Sequence, residues 1–402
     1  MLVTLGLLCG VPEVVTRLID PPLGQYRAIF FGGDPSSPYL FTNDPHLLWR
    51  LRPNVNLSFL ETRVSTDERG FRKPVALTGE RTALVVGDSS AFGWLVEGKE
   101  TFAARLQQLL DQRAGSIAWR VVNAGVPGYT SFQARQVVED LLPVLSPSVL
   151  IVIVGNNEAA PSAQTDRQVA AARRWIAPFE EVMSVSHFAT WLKERVAQST
   201  HRRFDPGTWD GKTRRVSVEE YVENLRAIIA AAQARATQVI LLAPPVNLFR
   251  PPSGVPALPN AAQVMPWCEA MLARIGSGDV QGALAEIDAR LASDPGAFYA
   301  RWLRGLALTQ LGDRAAGEQE IERAFQDDPF ADRAPLAYRE AIAKLAASEG
   351  VPFIDTNALL RGPAEAPLEG AYADHCHPNA TGHDRLAEAL APLVLSEETA
   401  AQ

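Results

Sequence analysis

The segment Gly87-Asp88-Ser89-Ser90-Ala91-Phe92-Gly93 follows directly on the apolar run ALVVG at 83–87. A serine at a strand-to-helix turn is held out at the sheet edge, where the first N–H groups of the helix can stabilise negative charge that develops beside it. Asp and Ser are also ordinary helix caps, so this turn taken singly has a purely structural reading. Near the C-terminus, Asp374-His375-Cys376-His377-Pro378 sets an acid three residues before a histidine. Imidazole titrates near 6.5, so a neutral histidine can take the proton of a serine hydroxyl around neutrality. A carboxylate beside it can fix the tautomer and stabilise the imidazolium. Two more segments put polar residues at strand ends: Asn123-Ala124-Gly125 after WRVVN at 119–123, and Gly155-Asn156-Asn157-Glu158 after VLIVIV at 149–154.

Competing chemistries are less well supplied. His375, Cys376, His377 and His383 crowd together as metal ligands would, but side chains at consecutive positions rarely point to one ion and no second cluster is evident. Neither a metal nor an organic cofactor is expected. The stretch Gly93 to Glu100 nearly spells a phosphate-binding loop, but Glu100 occupies the place of the Ser or Thr that would hold magnesium. The Gly-x-Ser-x-Gly elbow fails because Ala91 stands at its last position.

The elements that must position these residues can be read from apolar patterning. ALVVG, WRVVN and VLIVIV are joined by QVILLA at 238–243 and VPFID at 351–355, five short runs of the kind that form buried parallel strands. Between them, segments from Glu100, Ser131 and Val216 carry apolar residues at three- and four-residue spacing and read as crossover helices. A last helix opens at Pro378, taken as its first helical residue. The fold class is α/β, a three-layer α/β/α sandwich whose ligands gather at the carboxyl ends of the strands.

Four ordered blocks, carried by Ser89, Gly125, Asn157 and His377, make the chain resemble the SGNH (GDSL-like) hydrolases over about residues 81–160, 216–250 and 331–395. The resemblance implies a flavodoxin-like SGNH fold and a serine esterase. It makes Ser89 the nucleophile, with Asp374 and His377 completing a triad. The Ser89 amide, the Gly125 amide and the Asn157 side chain would then form the oxyanion hole. One departure is visible: the third block commonly reads Gly-x-Asn-Asp, and here Glu158 follows Asn157. The substrate implied is a small carboxylic ester, an acetyl or short acyl group on a carbohydrate or lipid. Two alternatives stay open, an O-acyltransferase acting on a surface polysaccharide, and a repeat-bearing adaptor on an inactive hydrolase scaffold.

The remaining chain sets the surroundings. Gly278-Asp279 recurs as Gly312-Asp313, and Asp294-Pro295 as Asp328-Pro329, each displaced by 34 residues, the tetratricopeptide period. Ala283, Gly305 and Ala324 sit at small-residue positions, so residues 261–330 read as a degenerate pair of TPR-like helical hairpins inserted into the core. Such a pair packs on the main domain or takes a protein partner. The core itself spans 81–260 and 331–402, with a polar stretch at 160–215 as a cap over the site and residues 24–80 as a small β-rich lead-in. Residues 1–23 read either as a membrane anchor or as a plain buried helix, since Glu13 and Arg17 interrupt the apolar opening short of the roughly 20 residues of a spanning helix. A cell-envelope location, with membrane association through that end, is expected over a cytoplasmic one. With 38 Lys and Arg against 46 Asp and Glu the net charge is -8, which gives a nucleic-acid partner no electrostatic support. The three cysteines match neither a disulfide framework nor a zinc module.

Overall fold

The structure, a computed structural model, describes residues 10–16, 40–44, 46–59, 62–76, 78–113, 117–172, 188, 213–328, 330, 332–363 and 370–400. Its centre is a five-stranded parallel sheet. The lead-in comes first, as two antiparallel hairpins: β1 (Phe41–Asp44) with β2 (Leu48–Leu51), and β3 (Asn56–Phe59) with β4 (Thr62–Ser65). Then come β5 (Arg81–Gly87), the short α1 (Ser89–Phe92), α2 (Phe102–Arg113), β6 (Trp119–Asn123), α3 (Ser131–Leu145), β7 (Val149–Ile153), α4 (Val218–Gln233) and β8 (Gln238–Leu242). Four helices follow, α5 (Ala261–Gly276), α6 (Val280–Ser293), α7 (Phe298–Gln310) and α8 (Arg314–Asp327). The chain ends in α9 (Leu336–Glu349), β9 (Phe353–Ile354), α10 (Thr356–Leu360) and α11 (Ala380–Ala400).

Strand order is β6-β5-β7-β8-β9, all neighbours parallel. The order reverses beside β5, and in open α/β sheets that switch point is where a crevice opens at the strands' carboxyl ends. The period of two decides the layers. Leu84, Val86, Leu150 and Val152 face one apolar cluster with α3, α4 and α9, while Ala83, Val85, Val149 and Ile151 face a second one with α2 and α11. All five residues of β7 are buried, which is why no alternation shows in its sequence.

The repeated dipeptides build repeated structure. Gly278 and Gly312 both take a left-handed φ, +95° and +96°, and Asp279 and Asp313 each cap the next helix by accepting from the amide three residues on. Both turns therefore end one helix and start another in the same way, giving two helical hairpins. Gly305 packs so closely on α8 that a Cβ there would meet the Gly317 carbonyl and Ile321 at 2.5 Å. Ala283, Ile287, Leu303, Ile321 and Ala324 belong to the same buried cluster as α4 and α9. The hairpins thus share the main core.

Two expectations change. The last helix begins at Ala380, because Pro378 pairs with Tyr372 as an isolated bridge and the Asn379 side chain accepts the Gly382 amide as the cap. The last strand is reduced to Phe353–Ile354. Most of the supposed cap at 160–215 lies outside the described residues, as do most of residues 1–23. Residues 10–16 are helical, and among the described residues no helix is long and apolar enough to cross a membrane.

Candidate active site

Strand register brings the distant segments together. Gly87 ends β5 opposite Ile153 of β7, and Val85 lies opposite Asn123 of β6. The residues just past those partners, Gly125 on one side and Asn156 and Asn157 on the other, therefore flank the turn that carries Ser89. Gly87 and Gly125 are required by closeness: a Cβ on Gly87 would lie 1.8 Å from the Ile153 carbonyl oxygen, and one on Gly125 would lie 2.4 Å from the Phe92 amide nitrogen. The cap of α1 is Asp88, whose carboxylate accepts the Ser90 amide at 2.8 Å, so Ser89 is left as the first helical residue with its hydroxyl uncommitted to capping. Asp88 is fully buried, and burial raises its pKa against the pull of the Ser90 amide.

Ser89, His377 and Asp374 form one continuous relay. The Ser89 Oγ lies 2.7 Å from His377 Nε2, and His377 Nδ1 lies 2.7 Å from Asp374 Oδ2. The other oxygen of Asp374 accepts the Cys376 and His377 amides, both at 2.9 Å, so the acid and the histidine are locked in one tight loop. Burial works to raise the Asp374 pKa, yet the hydrogen bond and charge of His377, with His375 adding, hold it below the ordinary carboxylate range. An ionised Asp374 accepts from an Nδ1–H, and in that tautomer Nε2 is placed to accept from Ser89.

The oxyanion candidates stand beside this relay in different states. Ser89 N–H opens α1 and has no intrahelical acceptor. The Asn157 carboxamide donates one N–H to the Tyr129 carbonyl at 2.9 Å, which orients it and leaves its second N–H for a ligand. The Gly125 amide donates to Asn123 Oδ1 at 3.0 Å and so starts out engaged. Asn123 in turn donates to the Ala91 carbonyl at 2.8 Å.

Glu158, the departure from the usual third block, is fully buried and ties two site segments together: it accepts the Ser131 amide at the start of α3 (2.7 Å) and the Asn157 amide (3.2 Å). Burial raises its pKa to about 8, with the Ser131 amide opposing, the Asp88 charge adding and Arg215 opposing. A carboxyl whose folded pKa exceeds its unfolded one loses stability as pH rises from the unfolded value, near 4.5, through the folded one. Wild-type melting temperature should accordingly fall between those two pH values by an amount that Glu158→Gln removes, read as the slope of melting temperature against pH. Equal slopes in both proteins would refute the assignment.

The metal alternative meets its donors here. Cys376 does not point away from its neighbour as expected: its Sγ lies 3.7 and 3.8 Å from the His377 ring nitrogens, and Asp374, Cys376 and His377 offer atoms within 4.8 Å of one another. The donor set fits a metal poorly. Burial pushes the Cys376 thiol well up, so it stays protonated, and both His377 nitrogens are already paired. His383, the fourth member of the sequence cluster, sits elsewhere: fully buried, it accepts the Phe102 amide at 3.1 Å, and burial lowers its pKa to about 3.

Residues that patterning did not flag complete the surroundings. Trp94 donates its amide to the Ser89 carbonyl at 3.1 Å and sets its ring 6.0 Å from that of His377. Arg72, only 1% exposed, holds its guanidinium 4.8 Å from the Phe92 ring and donates to the Arg63 and Val96 carbonyls at 3.2 Å. The β3–β4 hairpin is thereby tied to the helix that carries Ser89. Burial lowers the Arg72 pKa to about 10, with Glu97 opposing. A composition signal for Arg72 is absent, since a buried Arg in a polar segment looks like any exposed one.

A family model described as GDSL-like Lipase/Acylhydrolase family matches residues 85–315 and 317–385. No curated protein matches the chain. Among solved structures the chain is similar to a lipase/acylhydrolase from Enterococcus faecalis, at 14% identity and a TM-score of 0.39 over 79% of this chain and 96% of that one. It is similar to TesA at 15% identity and a TM-score of 0.37, covering 79% and 99%. A catalytic mutant of an acetylxylan esterase from Geobacillus stearothermophilus shows 15% identity and a TM-score of 0.36, covering 80% and 95%.

Proposed function

This chain belongs to the GDSL-like lipase/acylhydrolase family and is a serine hydrolase of ester bonds, and we propose that it works through an acyl-Ser89 intermediate with His377 as base and Asp374 as the acid that orients it. The observation that carries the reading is the unbroken path from Ser89 Oγ through both imidazole nitrogens to Asp374, each step 2.7 Å. As Ser89 Oγ bonds to the ester carbon, its proton passes to His377 Nε2, and the carbonyl oxygen takes the charge toward the Ser89 amide and the free Asn157 N–H. Collapse expels the alcohol, which leaves with the proton from Nε2. A water then repeats the sequence on the acyl-serine and releases the carboxylic acid. Gly125 joins the oxyanion donors as its bond to Asn123 yields to the stronger, charged acceptor. Each such donor is typically worth about 10²- to 10³-fold in rate.

The substrate proposed is a small carboxylic ester with an acetyl or other short acyl group, carried on a carbohydrate or lipid. Trp94, half-buried beside the base, supports a small substrate by giving it an aromatic wall. A fluorophosphonate probe tests the nucleophile: the wild-type chain and a Ser277→Ala surface variant should be labelled and should turn over short-chain p-nitrophenyl esters. Ser89→Ala should do neither. Labelling that persists in Ser89→Ala would overturn the assignment.

A further inference from the structure

The acid–base loop is held from outside by a latch that belongs to no triad residue. Two carbonyls of that loop are gripped by one side chain's residue: Asn247 donates its Nδ2–H to the Asp374 carbonyl at 3.1 Å and its backbone N–H to the His375 carbonyl at 2.8 Å. Asn247 follows β8 at the carboxyl edge of the sheet and is 8% exposed, and its Oδ1 accepts the Phe249 amide, which fixes the carboxamide's orientation. The segment it stands in is gripped in turn by the far side. Arg333, in the connection leaving α8, donates to the carbonyls of Asn247 and Arg250 through Nη1 (3.1 and 3.2 Å) and to that of Pro251 through Nη2 (2.9 Å). Trp302 of α7 donates its indole N–H to the Leu248 carbonyl at 3.1 Å. Both side chains are almost wholly buried, and the Arg333 guanidinium lies 4.6 Å from the Phe325 ring of α8.

From this we propose that Asn247 is a positioning residue for the acid and base, held in place by Trp302 of the helical hairpins and by Arg333 of the connection that follows them. The inference rests on the acyl-serine reading above. Its physical basis is that a loop residue such as Asp374, whose carboxylate orients His377, must be fixed to a fraction of an ångström for the base to stay on line with Ser89, and a misplacement of about 1 Å costs on the order of 10²-fold. The bonds from Asp374 to its own loop make that loop rigid internally. Only an outside anchor sets where it sits relative to α1, and Asn247 supplies two bonds of that kind. The helical hairpins then act on the chemistry without touching substrate.

The test measures kcat and KM for p-nitrophenyl acetate, the fluorophosphonate labelling rate and the melting temperature on the full chain. Asn247→Ala should lower kcat and the labelling rate together by roughly 10- to 100-fold with KM changed less than about 2-fold. Arg333→Met should show the same split, and Arg333→Lys, a cation that cannot span three carbonyls, a smaller version of it. Ile342→Val, a core change on α9, serves as the stability control and should move melting temperature alone. If Asn247→Ala folds too poorly to assay, Asn247→Asp carries the test, since it keeps the volume and the acceptor for Phe249 while losing the donor. Wild-type kcat in a folded Asn247 variant, or a loss confined to KM, overturns the proposal. In both cases an inactive, unlabelled Ser89→Ala leaves the acyl-serine reading standing, whereas an active Ser89→Ala removes the premise itself.

Discussion

Replacing His377 with alanine is expected to lower kcat for short-chain esters by roughly 10⁴- to 10⁶-fold, with a correctly folded chain and little change in KM. The size follows from what is lost and what remains. Without Nε2 at 2.7 Å the Ser89 hydroxyl must attack as a neutral alcohol, while the Ser89 amide and Asn157 still stabilise the oxyanion and account for the residual rate. Among the described residues no other histidine nearby can take over. The His375 ring packs edge-on against His377 with centroids 5.7 Å apart, but its nitrogens face carboxylates, lying 3.7 Å from Asp374 Oδ1 and 3.6 Å from Asp332 Oδ2. His383 is sealed in the core with one nitrogen accepting the Phe102 amide. His375→Ala should therefore retain most of the wild-type kcat while His377→Ala does not. A His377→Ala variant within about tenfold of wild type would mean that the relay is not the catalyst.

This asymmetry among the histidines also marks what the sequence could and could not reveal. Three polar blocks, each directly after an apolar run, put Ser89, Gly125 and Asn157 at one sheet edge, because a parallel sheet delivers strand ends to one edge whatever lies between them, while Asp374 and His377 follow from the resemblance to the SGNH hydrolases. The runs were legible for the same reason: strands buried on both faces, such as Val149–Ile153, have no polar residue to interrupt them. A proline rule sets the start of α11 at Pro378, two residues early, whereas Asn379 as cap with Gly382 three residues on is the signal that marks it. Other features leave no local trace. Asn247 meets Asp374 across 127 residues and Arg333 meets Asn247 across 86, and neither loop has a periodicity that would announce it. The engaged state of the Gly125 amide depends on a rotamer of Asn123, a residue that patterning reads only as the end of a strand. Position in the fold was written in hydrophobic pattern, whereas the hydrogen bonds that hold the site were written in single polar residues of loops.

Asp374→Asn is the sharper test, because it alters one atom and is expected to cost about 10⁴-fold in kcat while leaving the fold intact. The Cys376 and His377 amides decide the outcome. Both donate to Oδ1 at 2.9 Å, so the asparagine must keep its carbonyl oxygen there, and turning the amide over would set its NH₂ against two N–H donors. Its NH₂ is then forced toward His377 Nδ1, which can pair with it only as an acceptor. The ring proton moves to Nε2, the nitrogen that should receive the Ser89 proton, and the base is disabled although every heavy atom is in place. Melting temperature near neutrality should fall modestly: the two loop bonds survive, but the charge-assisted bond to His377 is weakened. In the wild-type chain the depressed pKa of Asp374 adds stability that is complete above the ordinary carboxylate value, near 4, and is lost only as pH falls toward the lower folded value. The variant lacks that term, so the gap between the two proteins in melting temperature should close on acidification. Activity of Asp374→Asn within tenfold of wild type would show that tautomer control by this acid is not part of the reaction.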